Sequence, residues 1–175
     1  MLRASSVGYY NANTTEIAKK AGVSIGILYG YFKDKKDILV YVIDIYIQKV
    51  ATPIMEYFKN LTAPVDINGI IVDLIEMTTN IHKKNANLHN ILHSLAVSDD
   101  HVRRKFLSLE DHITINATDT LKNLGVKIDD LTEKVHIAMN SIQSFSHESV
   151  YDRHEYIDYE KMKFETIAMI NALLK

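Results

Sequence analysis

Apolar residues recur three and four positions apart along nearly the whole chain, with charged residues between them, the spacing of amphipathic helices. Over 66–83, Ile67, Ile70, Leu74, Met77 and Ile81 form one stripe, and Asp66, Asp73, Glu76 and Lys83 fall off it. No stretch keeps a period of two, so the pattern predicts an all-α fold without a sheet. Only six Gly and two Pro interrupt the chain, which argues for long helices and short connections.

Capping residues place the boundaries. Asn13-Thr14-Thr15-Glu16 reads as a capping box opening a helix through Ile17, Ala18 and Ala21, which Gly22 ends by taking the left-handed backbone. Ser24 caps a second short helix with Ile25, Leu28, Tyr29 and Phe32. Asp34 and Asp37 cap a third, carrying Ile38, Leu39, Val42, Ile43 and Ile45. Pro53 and the Ala63-Pro64 pair mark its end or kink it. Further helices are predicted at 66–83, at 86–96, and from Ser98-Asp99-Asp100 to Leu124-Gly125. Asp130 and Glu133 cap the next, through Leu131, Val135, Ile142 and Phe145, and a last helix runs from about Tyr156 to the end.

Charge adds an asymmetry. The net charge is −2, yet residues 1–50 hold seven Lys/Arg against four Asp/Glu, and the remainder thirteen against eighteen. A basic head on an acidic body suits a protein whose head alone meets a polyanion. With no cysteine, disulfides and thiolate metal sites are excluded. No apolar run is read as approaching the roughly 18 residues of a membrane span, and the N-terminus lacks a secretory layout. A cytoplasmic protein without a membrane partner is therefore expected.

The first two helices and the Gly22 turn make a helix-turn-helix candidate. Ala18 and Gly22 are small where two helices cross, and Val23, Leu28 and Phe32 supply an apolar face. Ser24, Ile25, Gly26, Tyr29 and Tyr31 remain for the outer side. Hydroxyls and amides at a helix start donate well to phosphate, and Lys33, Lys35 and Lys36 follow at once.

The segment IAKKAGVSIGILYGYFKDKKDIL, residues 17–39, resembles the DNA-binding signature of the tetracycline-repressor (TetR) family of bacterial regulators. Ile17, Ala18, Ala21, Gly22, Val23, Ser24, Gly26, Leu28, Tyr29, Tyr31, Phe32, Lys35 and Leu39 all match it, and Gly8-Tyr9 fits the Gly-aromatic pair that closes the family's first helix. The resemblance implies a three-helix DNA-binding head at 1–46 and a helical ligand-binding and dimerisation domain at 47–175. It implies DNA contacts from Thr14, Ser24, Ile25, Gly26, Tyr29, Tyr31, Lys33, Lys35 and Lys36. Two positions depart from the pattern: Ile25 replaces a polar or basic residue, and Gly30 a phosphate-contacting one. Upstream, only seven residues precede Gly8, with Leu2-Arg3-Ala4-Ser5 as a helix opening, so a shortened first helix is expected.

For the body, the resemblance implies an unidentified small-molecule effector. Met77, His89, Leu92, His93, Phe106, Ile113, Met139 and Phe145 are the candidate pocket residues, apolar walls with a few polar groups. His89 and His93 lie one turn apart but supply only half a zinc site, so neither metal nor cofactor is expected. Ser146-His147-Glu148 points three ways around a helix and makes no relay, and with no other catalytic motif the chain is read as a non-enzyme. Ile142, Phe164, Ile167, Ile170 and Leu174 are the candidate interface of a homodimer. The resulting expectation is a ligand-responsive repressor on double-stranded operator DNA. The alternative is a ligand-binding or interaction module of the same fold whose operator binding is weakened by the short first helix.

Overall fold

The computed structural model describes residues 12–175, the Asn87 side chain excepted. Seven helices and no strand are found among the described residues: α1 Thr14–Ala21, α2 Ile25–Tyr31, α3 Lys35–Lys59, α4 Ile67–Ser98, α5 Asp100–Asn123, α6 Leu131–Tyr151 and α7 Tyr159–Leu173. The all-α expectation holds. Gly8-Tyr9, the Leu2–Ser5 opening and the shortened first helix lie outside the described residues.

Three boundaries and one cap differ from the expected ones, the boundaries for visible reasons. Pro53 sits inside α3 and does not end it; its ring removes only the bond to the carbonyl four residues back, that of Lys49. The helices expected at 66–83 and 86–96 are one element, α4, bent at Asn85 (φ −118°, ψ 16°). There the Asn85 amide donates to the Ile81 carbonyl at 2.8 Å, a side-chain substitute for the backbone ladder. Asp130 adopts the left-handed region (φ 53°) with no side-chain capping bond. The last helix opens at Tyr159, where Asp158 accepts from the backbone of Glu160 and Lys161, three residues after Tyr156.

Two compact units emerge: Met1–Lys49 with Asn87–Phe106, and Val50–Ala86 with Leu107–Lys175. Two of the crossings fall at helix irregularities, Lys49–Val50 at the carbonyl that Pro53 leaves without its donor, and Ala86–Asn87 just past the Asn85 bend. In the first unit Ala18, Leu28, Ile43, Tyr46, Leu92 and Val102 are buried. In the second, Phe58, Leu74, Ile75, Ile142, Phe145 and Ile170 are.

Helix α3 corrects one expectation. By length and composition it is apolar enough to cross a membrane, with a mean hydropathy of 1.5 over 18 residues. In the chain, five of its large apolar side chains, Leu39, Ile43, Tyr46, Ile54 and Phe58, are buried.

Candidate nucleic-acid interface

The head is built from caps. Asn13 Oδ1 accepts the Glu16 amide at 2.8 Å and starts α1. Gly22 ends it at φ 71°, a backbone that a Cβ disfavours, while the amides of Gly22 and Val23 donate to Lys19 and Ala18 carbonyls. Ser24 Oγ then accepts from the Ile27 amide at 3.2 Å and starts α2. At the opening of α3, Asp34 Oδ1 accepts from Asp37 N at 2.9 Å and Asp37 Oδ2 from Lys33 N at 3.0 Å. These caps fix the angles at which three helices meet, so a seven-residue helix too short to persist alone is held on the surface.

That helix buries one residue, Leu28. The rest of its large side chains face solvent: Ile25 is 40%, Ile27 51%, Tyr29 51% and Tyr31 80% exposed. Thr14 and Tyr29 share a hydrogen bond at 2.9 Å between their hydroxyls, which ties the first turn of α1 to the outer side of α2. Lys33 and Lys36 are exposed. Lys35 is partly buried, and its ammonium donates to the Ala12 carbonyl at 3.1 Å, so it anchors the segment entering α1. The sequence offered no sign of the Thr14–Tyr29 or Lys35–Ala12 bonds, because both join positions fifteen or more residues apart.

An open cavity of about 280 Å³ lies beside this surface, lined by Lys33, Asp34, Lys36, Asp37, Val40 and His101. None of the eight expected pocket residues lines it. Those eight divide between the two units. In the first, His89 and His93 stack at 4.1 Å, His93 and Phe106 at 4.7 Å, and Leu92 is fully buried. Tyr46, a residue not foreseen, completes this cluster through a 2.6 Å hydrogen bond between its hydroxyl and His89 Nδ1. In the second, Ile113 and Phe145 are buried and Met77 and Met139 half-buried. No group of three or more metal-binding side chains is present among the described residues.

The second unit also holds a polar network that the sequence did not show. His82 is 3% exposed. Its Nδ1 lies 2.8 Å from the Thr78 carbonyl and its Nε2 3.1 Å from the Gln143 amide. A neutral ring protonated on Nδ1 satisfies both contacts. Burial depresses its pKa, and His147 adds to that effect while the Thr78 carbonyl opposes it. Tyr151, whose hydroxyl donates to the His82 carbonyl at 2.7 Å, is pushed up to about 12 by burial.

The expected dimer residues separate by burial. Ile142, Ile170 and Leu174 lie in the chain's own core, at 1%, 0% and 9% exposure. These three therefore offer a second copy little or no surface in this chain. Phe164 is 70% exposed and Ile167 partly so. Ile137, unforeseen, and Met169 are about half exposed on α6 and α7.

Residues 4–42 match the family model for bacterial regulatory proteins of the tetR family. The chain carries the TetR-family helix-turn-helix head. A 66-residue stretch is 41% identical to the HTH-type transcriptional regulator HbdR of Aromatoleum sp. (strain CIB), covering 35% of this chain and 27% of that relative. The fold of the described residues is similar to that of solved structures described as TetR-family regulators. A protein of Mesorhizobium loti described as a TetR-family transcriptional regulator superposes with a TM-score of 0.72 at 17% identity, covering 96% of this chain and 87% of that one. A Clostridium perfringens protein described as a fatty acid metabolism regulator gives 0.67 at 22% identity, over 94% and 90%.

Proposed function

We propose that this TetR-family chain is a transcription regulator that grips operator DNA with residues 24–36 and Thr14 of its head, the body at 47–175 serving effector binding and dimerisation. The observation that carries this reading is the outward face of α2. Its large side chains are exposed although a helix of this length gains little stability unless it buries surface. Exposed Lys33 and Lys36 follow immediately, and the Thr14–Tyr29 hydroxyl pair lies alongside. Lysines and hydroxyls of this kind neutralise and hydrogen-bond phosphates, while groups on the helix reach base edges. A gel shift with the DNA upstream of its own and neighbouring genes tests it. Binding is expected, and Tyr29→Ala is expected to weaken it. No shift at low salt would leave the chain as an interaction module of this fold.

An effector site in the second unit is supported by buried polar atoms without a partner among the described residues. They are Thr78 Oγ1, Asn116 Oδ1 and Thr118 Oγ1, in the same unit as the candidate walls Met77, Ile113, Met139 and Phe145. A few polar handles in an apolar lining is the usual make-up of a small-molecule site. Release of DNA on effector binding, and hence repression, is the mode proposed, since an effector acts only by preferring one of two states. A homodimer through α6 and α7 is supported by the exposed Ile137, Phe164 and Met169. Mass in solution is expected at twice 20.0 kDa, and Phe164→Asp should lower it.

A further inference from the structure

We infer that the head selects its DNA through thymine methyl groups touched by Ile25 and Ile27, with no charged or amide side chain of α2 reading base edges. This rests on the DNA-binding reading above and names the sequence class that such a site takes.

The sequence of α2, IGILYGY, contains no Arg, Lys, Asn, Gln, Asp or Glu. Those are the side chains that pair with guanine, adenine or cytosine edges in the major groove. Of the hydroxyls at hand, Ser24 accepts from the Ile27 amide and Tyr29 is bonded to Thr14, while Tyr31 is exposed at the end of α2. Beside its two tyrosines, what α2 offers outward is aliphatic, with Ile25 and Ile27 about half exposed. The one base-edge group in that groove suited to an aliphatic partner is the thymine C5 methyl.

The backbone supports close approach. At 100° per residue, Gly26 and Gly30 lie on the side of α2 opposite the buried Leu28. A Cβ on Gly30 would meet nothing within 4 Å, and one on Gly26 only Ser24 Oγ at 3.9 Å. Packing therefore does not require glycine at either place, and glycine is a poor helix former. Their absence of side chains leaves Ile27 unshielded on one flank. The surroundings fix the class of partner. Lys19 and Lys20 at the end of α1, and Lys33 and Lys36 at the start of α3, are exposed on the elements that bracket α2. Aliphatic side chains on two flanks of α2, with cations on the elements that bracket it, are complementary to methyl groups in a groove between phosphate walls.

The test is selection of sites from a random duplex library by the full chain, followed by replacement of each thymine in the selected sites by uracil, which lacks the methyl. Selected sites are expected to be thymine-rich. Each contacted methyl removed should weaken binding about three- to fivefold, the worth of one buried methyl-sized group. The Ile25→Ala, Ile27→Ala double variant should bind thymine and uracil duplexes alike, which separates contact from a change in duplex shape. Both residues are exposed, so the variant should fold. Salt-dependent DNA binding that is indifferent to uracil, or a double variant that keeps the full thymine preference, overturns this inference and leaves the regulator reading standing. Absence of any DNA binding at low salt overturns both.

Discussion

Helices α2 and α6 follow the same helical rules to opposite ends. Helix α6 buries six residues, Leu131, Val135, Ala138, Ile142, Phe145 and Ser146, and its side chains explain why it is there. Helix α2 buries only Leu28 and is held by the Ser24 cap, the Gly22 turn and the Thr14–Tyr29 bond. An element held at its ends, with its flanks left open, is free to offer those flanks to something else. An element held along its length is fixed by its own packing. Burial thus separates a surface left open on α2 from a face packed along α6.

Substitutions should reproduce that division. Ile142→Ala, in the core of the second unit, should cost about 2–5 kcal/mol in denaturant unfolding, whereas Ile27→Ala on α2 should stay within about 0.5 kcal/mol. Equal costs would erase the distinction. Gly22→Ala should cost about 1–2 kcal/mol, the penalty of a Cβ in the left-handed region, since nothing crowds the site.

Acid should act on the second unit. His82 has a depressed folded pKa, so below its unfolded value of about 6.5 the unfolded chain takes a proton that the folded ring refuses. Stability should therefore fall as pH drops from about 6.5 toward the folded pKa, by at most about 1.4 kcal/mol per pH unit for this one proton. His82→Asn should flatten that slope in thermal melts between pH 7 and 5. Ser24→Ala should cost about 1 kcal/mol, seen as faster hydrogen exchange at the Ile27 amide.

The head was legible because its determinants are local. Asn13 and Glu16, Gly22, Ser24, and Asp34 with Asp37 each act within four residues, and each does in the structure what its spacing implied. The body was legible only as helices. Periodicity marked Ile142 and Ile170 as apolar, but it carries no sign of whether such a face meets its own chain or another, and both are buried at home. Spacing was equally blind to partners far apart in sequence. His82 with Gln143, Tyr46 with His89 and Lys35 with Ala12 are joined across 61, 43 and 23 residues. Asn85 was hidden for another reason, since one side-chain bond to Ile81 turns an expected break into a bend.

The most direct test of the central claim, that the capped head is the DNA surface, is the dependence of duplex binding on salt, measured by fluorescence anisotropy for the full chain and for a Lys33→Ala, Lys36→Ala variant. Both lysines are exposed, so folding should be unaffected. If each neutralises one phosphate, the slope of log K against log salt should become shallower by about 1.8, with an unchanged unfolding curve. A slope identical to that of the wild type would place the DNA contacts elsewhere and contradict the account.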